Sequence, residues 1–306
     1  MTRCRGTAVA IASLIAAIAT AGCGLGAGAE VGAVELSVTR EYGAVPVLER
    51  TVEANESDTV MRLLEGEAEI ETRYGGGYVH SIDGVAEGQR GGDPYDWFFY
   101  VDGTESPIGA AEYDLAGRER VWWDYRNWSA TNHVPAVVGS WPAPFVHGIG
   151  GRRYPVALEC REGGEACAQA REALEREGVE IASGSPDGAI RMLVGPWERL
   201  RTDPVARLIE EGPGESGVYA EVEATGDGYE VVALDEGGAV AERLGTDAGL
   251  VAATSRYGGP PVWVVSGGTA EAVRDAAGML DPETLRNHYA LAVQGSLLDP
   301  LPREES

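Results

Sequence analysis

The sequence predicts an α+β fold of two domains, in which a strand-rich N-terminal domain precedes a domain of mixed helices and strands. Short runs of alternating apolar residues dominate residues 34–128. Helical and strand-like patterns then alternate over residues 153–295. The chain of 306 residues is also long enough for two domains of ordinary size.

The N-terminus predicts an export signal over residues 1–22. Arg3 and Arg5 precede an apolar stretch at residues 8–19, which is too short to span a membrane. No other segment of the sequence is apolar for long enough to span a bilayer. We therefore expect export without a membrane-spanning helix.

The residues that follow the apolar stretch are typical of a bacterial lipobox. Small residues stand immediately before a cysteine in the run Thr20-Ala21-Gly22-Cys23. We expect cleavage before Cys23, lipidation of its thiol, and attachment to the outer face of the cell membrane through that lipid alone. Residues 23–33, rich in Gly and Ala, would form a flexible tether. The alternative is an ordinary signal peptide that is cleaved near Ala21.

The elements of the first domain are expected in the order strand, strand, helix and further strands. Ser57 or Asp58 can cap the helix, whose apolar residues then share one face. This order is typical of a β-grasp sheet folded over one helix. The predicted elements are strands at 34–38, 42–50, 69–74 and 78–82, and a short helix with Val60, Leu63 and Leu64 on its apolar face.

Two aromatic strands follow, and each has two different faces. In residues 97–101, Trp97 and Phe99 share one face while Tyr100 lies on the other. Residues 121–125 alternate in the same way. One face is expected to fill the core over the helix, and the other is left with aromatic side chains that need a cover.

Three runs in this segment resemble a known family. They are Gly77-Tyr78-Val79-His80-Ser81-Ile82-Asp83-Gly84, Trp97-Phe98-Phe99-Tyr100-Val101-Asp102-Gly103 and Val121-Trp122-Trp123-Asp124-Tyr125. Together they resemble the transcobalamin C-terminal-like domain, a β-grasp module of bacterial surface proteins, over residues 34–128. The family core usually reads Gly-Trp-x-x-Tyr-x-Asn-Gly, whereas Asp96 and Asp102 replace the Gly and the Asn here. An Asp-Gly pair favours the same type of turn as Asn-Gly.

The resemblance implies a ligand class as well as a fold. A corrinoid or another small planar molecule is the implied ligand, with delivery to a membrane transporter as its purpose. The alternative is a surface protein-interaction module without a small-molecule ligand. In that case residues 129–152, expected to form an extended Trp- and Pro-rich arm, cover the rings. The rings expected to bind the ligand are Tyr78, Trp97, Tyr100, Trp123, Tyr125, Trp128 and Trp141.

The second domain, residues 153–295, is expected to be α/β, and its sequence indicates no function. Residues 296–306 are expected to form a tail. The predicted strands are 154–159, 190–194, 250–254 and 261–265, with a hairpin at 218–223 and 229–234; the predicted helices are 165–177, 196–209 with a break at Pro204, 270–279 after Thr269, and a last helix from Asp281 that carries Leu285, Tyr289 and Ala292 on one face.

Cys160 and Cys167 predict a structural disulfide. Export places both thiols in an oxidising compartment. Two thiols without a histidine nearby are too few for zinc, and their spacing differs from that of a redox-active Cys-x-x-Cys pair.

Composition and motifs exclude several classes of function. The net charge of −25 disfavours binding to nucleic acid or to anionic lipid headgroups. The sequence contains no Gly-x-Ser-x-Gly motif, and its four histidines show no metal-ligand spacing. We therefore expect a binding protein rather than an enzyme, with no metal and no cofactor.

Overall fold

The computed structural model describes residues 28–162, 164–256 and 258–303. The predicted export signal and Cys23 lie outside the described residues. Among the residues described, no helix is both long enough and apolar enough to cross a membrane.

The described chain is a mixture of helices and strands in which strands predominate, so the predicted α+β class is confirmed. The strands are β1 (Glu30–Arg40), β2 (Val45–Asn55), β3 (Ile70–Arg73), β4 (Tyr78–Ile82), β5 (Val85–Ala86), β6 (Gly88–Arg90), β7 (Asp93–Val101), β8 (Thr104–Glu105), β9 (Arg120–Asn127), β10 (Val156–Cys160), β11 (Ile190–Val194), β12 (Ala220–Thr225), β13 (Gly228–Leu234), β14 (Val240–Gly245), β15 (Gly249–Thr254), β16 (Val262–Gly267), β17 (Ala290–Gln294) and β18 (Leu297–Leu301). The helices are α1 (Val60–Glu67), α2 (Ala143–His147), α3 (Glu165–Arg176), α4 (Trp197–Leu200), α5 (Pro213–Ser216), α6 (Ala270–Ala277) and α7 (Pro282–Leu285).

The N-terminal half, residues 30–127, contains a twisted sheet in the order β2-β1-β9-β7-β6, with β8 paired to β7. β1 runs parallel to β9 and antiparallel to β2, so the two ends of this half meet in the middle of the sheet. A separate three-stranded sheet, β3-β4-β5, lies beside it. The cap of α1 is Thr59 rather than Ser57 or Asp58, because the hydroxyl of Thr59 accepts from the backbone N–H of Arg62.

The C-terminal half, residues 156–303, is built on a six-stranded sheet in the order β10-β11-β16-β15-β17-β18. The first three strands are parallel, and the remaining pairs are antiparallel. Helices α3 and α6 pack together, and α6 lies against β15 and β16. The hairpin predicted at 218–234 is present as β12 and β13, and β14 completes a second small sheet.

Several predicted elements differ from the structure. Residues 30–33 of the predicted flexible tether belong to β1, because they pair with β2. The last helix ends at Leu285, and Ala292 lies in β17, because this segment pairs with β15 and its apolar residues are buried in the sheet. Residues 297–301 of the predicted tail form the edge strand β18. The arm is not extended throughout, since it contains a 3-10 turn at Val138–Ser140 and the helix α2.

The predicted break at Pro204 is confirmed, because α4 ends at Leu200 and a separate 3-10 helix follows at Ala206–Glu211. The predicted disulfide is also present. The Cα atoms of Cys160 and Cys167 are 5.8 Å apart, and the bond joins the end of β10 to the first turn of α3.

One of the hydrophobic clusters of the molecule spans both halves. Tyr100 and Trp122, on the outer face of the N-terminal sheet, pack with Val134 and Val137 of the arm. The same cluster continues into the C-terminal half at Trp197 and beyond. The second face of the aromatic strands is therefore covered within the molecule.

Candidate ligand-binding site

The structure does not bring the seven expected rings together on one open surface. Five of them are buried, Tyr78 is half-buried, and Trp128 is 38% exposed at the end of β9. The five buried rings are Trp97, Tyr100, Trp123, Tyr125 and Trp141.

Three of the buried rings belong to the core of the N-terminal half. Trp97, Trp123 and Tyr125 lie on the face of the sheet that packs over α1. The indole N–H of Trp97 donates to the carbonyl of Val85 at 2.8 Å, and the hydroxyl of Tyr125 donates to the carbonyl of Ala86 at 2.8 Å. These bonds tie the aromatic strands to the small β3-β4-β5 sheet, so the rings act as core residues.

The other two buried rings face different parts of the molecule. Tyr100 lies in the core shared by both halves, where its ring meets that of Tyr289 edge-on with centroids 5.6 Å apart. Trp141 packs against Phe145 and Trp263 at centroid distances of 5.2 and 5.4 Å. Tyr100 thus lies on the face of β7 opposite to Trp97, and Trp141 packs in a cluster of the C-terminal half, away from the aromatic strands.

Tyr78 is held by acidic neighbours. Its hydroxyl donates to Glu87 Oε2 at 2.9 Å and to Asp96. Burial, followed by the hydrogen bond to Asp96, raises the pKa of Tyr78 well above its usual value. The hydroxyl is therefore a fixed donor within the protein.

A cleft of about 680 Å³ opens between the two halves. Its volume lies within the range of about 300–1,000 Å³ that is typical of small-molecule sites. Its lining comprises Glu41, Tyr42, Ala44, Asp93, Tyr95 and Asn127 from the N-terminal half, and Asp235, Glu236, Gly237, His288 and residues 299–303 from the C-terminal side.

Two tyrosines join the halves at the cleft. The hydroxyl of Tyr42 donates to the backbone carbonyl of Asn127 at 2.7 Å and lies 3.1 Å from the hydroxyl of Tyr219. The hydroxyl of Tyr95 donates to Glu236 Oε1 at 2.6 Å. Burial is the main cause that raises the pKa of both Tyr42 and Tyr95 above the usual range, so both stay protonated and donate.

The lining of the cleft is strongly acidic. It contains the five carboxylates of Glu41, Asp93, Asp235, Glu236 and Asp299, but only one arginine, Arg303. Arg303 forms ion pairs with Asp299 at 2.7 Å and with Glu242. Burial lowers the pKa of His288, so its imidazole is neutral at pH 7 and adds no positive charge.

Asn127 is one of the residues that line the cleft. It is the last residue of β9, is fully buried, and pairs across the sheet with Tyr95. Its side-chain oxygen accepts from the backbone N–H of Ser129 at 2.8 Å. Its side-chain nitrogen has no hydrogen-bond partner within residues 28–162, 164–256 and 258–303.

A buried carboxylate, Asp124, connects the two halves. Asp124 accepts from Thr39 Oγ1, from the backbone N–H of Gly43 at 3.1 Å and from the hydroxyl of Tyr289 at 3.1 Å. Burial raises the pKa of Asp124 to about 6, against the opposing effect of these hydrogen bonds. The residue links β9 to the C-terminal half through Tyr289.

Histidines and acids form pairs rather than metal sites. His147 Nδ1 lies 3.1 Å from Asp102 Oδ1, and His133 pairs with Glu105. No group of three or more metal-ligating side chains is present in the part of the chain that the structure describes.

Sequence reasoning missed the residues of the cleft. Tyr42, Tyr95, Asn127 and Glu236 stand in four separate segments, and Tyr95 and Glu236 are 141 positions apart. No local motif joins them. The one available signal was the Asp235-Glu236-Gly237-Gly238 turn, which places two acids at the end of β13.

The segment from α1 to β9 matches a known protein family. Residues 57–127 match the family described as a domain of unknown function, DUF4430. The matched segment includes Tyr95 and Asn127 of the cleft, and it ends one residue before Trp128. No curated protein matches the chain.

Proposed function

We propose that the protein is an exported, lipid-anchored binding protein, and that its small-molecule site is the cleft between the two halves. The observation that carries the proposal is a cavity of about 680 Å³ lined by both halves, which are joined there by the contacts of Tyr42 with Tyr219 and of Tyr95 with Glu236. Clefts between domains are preferred positions for small-molecule sites. The export part rests on the leader and on Cys23, and the disulfide is compatible with it.

We also infer that the N-terminal half is a β-grasp module of the transcobalamin C-terminal-like type. The support is a β1-β2 hairpin followed by α1, together with the parallel pairing of β1 with β9. By that resemblance a small planar molecule, with a corrinoid as its first representative, is the proposed ligand, and a membrane transporter is the proposed recipient. Corrinoids carry peripheral amides, whose N–H groups can donate hydrogen bonds to the carboxylates of the cleft.

The position of the site differs from the one that the sequence suggested. The rings of Trp97, Trp123 and Tyr125 hold the N-terminal core together, so they are poor candidates for direct stacking on a ligand. The cleft lies at the end of the same strands, where Tyr95 and Asn127 reach it. We therefore propose that the aromatic strands position the site rather than line it.

A second candidate is a protein-interaction module without a small ligand. The burial of five of the seven rings favours it, because a self-covered aromatic face leaves no open slot on the strands. In this alternative the cleft is an acidic recess that contacts part of a partner protein.

Calorimetric titration of the mature protein with cyanocobalamin and dicyanocobinamide distinguishes the two candidates. Ligand binding predicts saturable heat with at least one corrinoid, accompanied by a change in tryptophan fluorescence. Calorimetry is the primary readout because corrinoids absorb light. If neither compound produces heat, the corrinoid class is rejected and the interaction module becomes the leading candidate.

A further inference from the structure

We propose that Tyr78, Glu87 and Asp96 form a proton-dependent latch, which holds the β3-β4-β5 sheet against β7 in acid and releases it as the pH rises. The three side chains do not line the cleft, so the latch does not depend on the ligand that the cleft binds. The inference rests on the position of one hydroxyl between two carboxyl groups.

The hydroxyl of Tyr78 contacts both carboxyl groups. Tyr78 belongs to β4, Asp96 belongs to β7, and Glu87 directly follows β5. The hydroxyl oxygen lies 2.9 Å from Glu87 Oε2 and within hydrogen-bond distance of Asp96 Oδ2. A hydroxyl has a single proton, so it cannot donate to two ionised carboxylates at once. Both bonds form together only when one carboxyl group is protonated and donates to the tyrosine oxygen.

Glu87 is the ionised member of the latch. Its Oε1 forms an ion pair with Arg73 Nη1 and lies 3.3 Å from His80 Nδ1. Arg73 Nη2 also lies 3.0 Å from His80 Nε2, so the two side chains face Glu87 together from β3 and β4. The positive charge of Arg73 stabilises a negative Glu87. Glu87 therefore accepts the proton of the Tyr78 hydroxyl.

Asp96 is the member that carries the additional proton. It has no ion-pair partner among the described residues, and Arg126, opposite it on β9, directs its guanidinium to backbone carbonyls and over the ring of Phe98. Burial is the main cause that raises the pKa of Asp96, while hydrogen bonds with Tyr78 and with the backbone N–H of Trp97 oppose it. The protonated carboxyl group then donates to the oxygen of Tyr78.

The latch adds a bond that depends on pH to contacts that do not. The carbonyls of Val85 and Ala86 already accept from Trp97 and Tyr125, and these bonds also hold the β3-β4-β5 sheet to the aromatic strands. The latched state binds the proton of Asp96 more tightly than the released state. Its contribution is therefore present in acid and is lost as the pH rises through the raised pKa of Asp96.

Amide hydrogen exchange of the mature protein measures the release. Protection factors correct for the intrinsic effect of pH on exchange, and those of β4 should fall about fivefold between about pH 5 and about pH 8, the effect of one ordinary hydrogen bond. Strand β11 in the C-terminal half is the internal control, because the titration of Asp124 changes the stability of the whole protein. The fall in β4 should exceed any fall in β11.

Asp96→Asn imitates the protonated latch. Its Oδ1 can still accept from the backbone N–H of Trp97, as it does at 2.7 Å in the structure, and its amide N–H can donate to Tyr78 at every pH. We therefore expect this variant to keep the protection of β4 at the higher pH. Glu71→Gln, an exposed position on β3, is the matched control and should respond to pH as the unmodified protein does.

Tyr78→Phe removes the hydroxyl and should lower the protection of β4 already at the lower pH, with little further change. If Tyr78→Phe does not fold, the comparison of Asp96→Asn with Glu71→Gln decides. Equal changes in β4 and β11 between the two pH values, or no change in either, would overturn the inference. The same holds if β4 in Asp96→Asn responds to pH as the unmodified protein does.

Discussion

The hydroxyl of Tyr95 donates a hydrogen bond of 2.6 Å to Glu236 Oε1, and this bond joins β7 of the N-terminal half to the turn that follows β13. The bond closes one side of the cleft. It also lies between residues that no sequence motif connects. The cleft therefore forms only where the two halves dock. The contribution of the Tyr95–Glu236 hydrogen bond to stability can be measured.

Tyr95→Phe should destabilise the protein by about 1–2 kcal/mol, because it removes a hydrogen bond to a carboxylate and leaves the ring in place. Urea-induced unfolding of the mature protein measures this change. Tyr74→Phe is the matched control, since Tyr74 is 87% exposed, and we expect no measurable effect from it. Equal stabilities of Tyr95→Phe and the unmodified protein would show that the bond contributes nothing to docking.

Asp124 should make stability depend on pH near neutrality. Its folded-state pKa of about 6 lies above the value of 3.8 for a free carboxyl, so the folded protein binds the proton more tightly than the unfolded chain does. The contribution of Asp124 to stability is therefore present in acid and is lost as the pH rises through about 6.

The free energy of unfolding of Asp124→Asn, minus that of the unmodified protein, should rise by about 2–3 kcal/mol between pH 4 and pH 7.5. Asp227→Asn, in the exposed β12-β13 turn, controls for the general loss of a carboxylate. Urea titrations at four or five pH values provide the data. A flat difference for Asp124→Asn across this range contradicts the assignment.

The sequence predicts those features of the fold and the site that are formed by residues close together in the chain. The disulfide, the β12-β13 hairpin and the break at Pro204 each lie within a few residues, and each was predicted. The alternation of the aromatic strands was also predicted, because a strand places successive side chains on opposite faces.

The features that were not predicted depend on contacts between distant segments. Periodicity identifies two apolar faces on β7 and β9, and the arm was one of the two expected covers of the outer face. It gives no sign that Trp197 of the C-terminal half packs there as well. The apolar run at 289–292 is compatible with a helix or a strand, and its pairing with β15 decides for a strand. The cleft combines six separate segments and has no sequence signature of its own.

Loss of the disulfide should destabilise the protein by about 2–3 kcal/mol in the chain-entropy model. The double variant Cys160→Ser, Cys167→Ser keeps the size of both side chains and allows this measurement by urea unfolding. Mass spectrometry of the non-reduced mature protein should show both thiols blocked. Two thiols that react freely with iodoacetamide would show that the bond does not form.

Cys23→Ala should release the protein from membranes or leave it with its signal peptide attached. The expectation follows from the run Thr20-Ala21-Gly22-Cys23 after an apolar stretch. Fractionation followed by mass measurement of the N-terminus gives the answer. Normal processing with unchanged membrane retention would mean that another anchor exists.

We propose that the cleft, rather than the aromatic strands, holds the ligand. Calorimetric titration of cyanocobalamin into cleft variants tests this proposal most directly. Ala44→Trp fills the cleft, and Ala168→Trp places the same side chain on the exposed face of α3 as a control. We expect saturable binding to the unmodified protein and to Ala168→Trp, and no binding to Ala44→Trp. Equal affinity in all three proteins would contradict it.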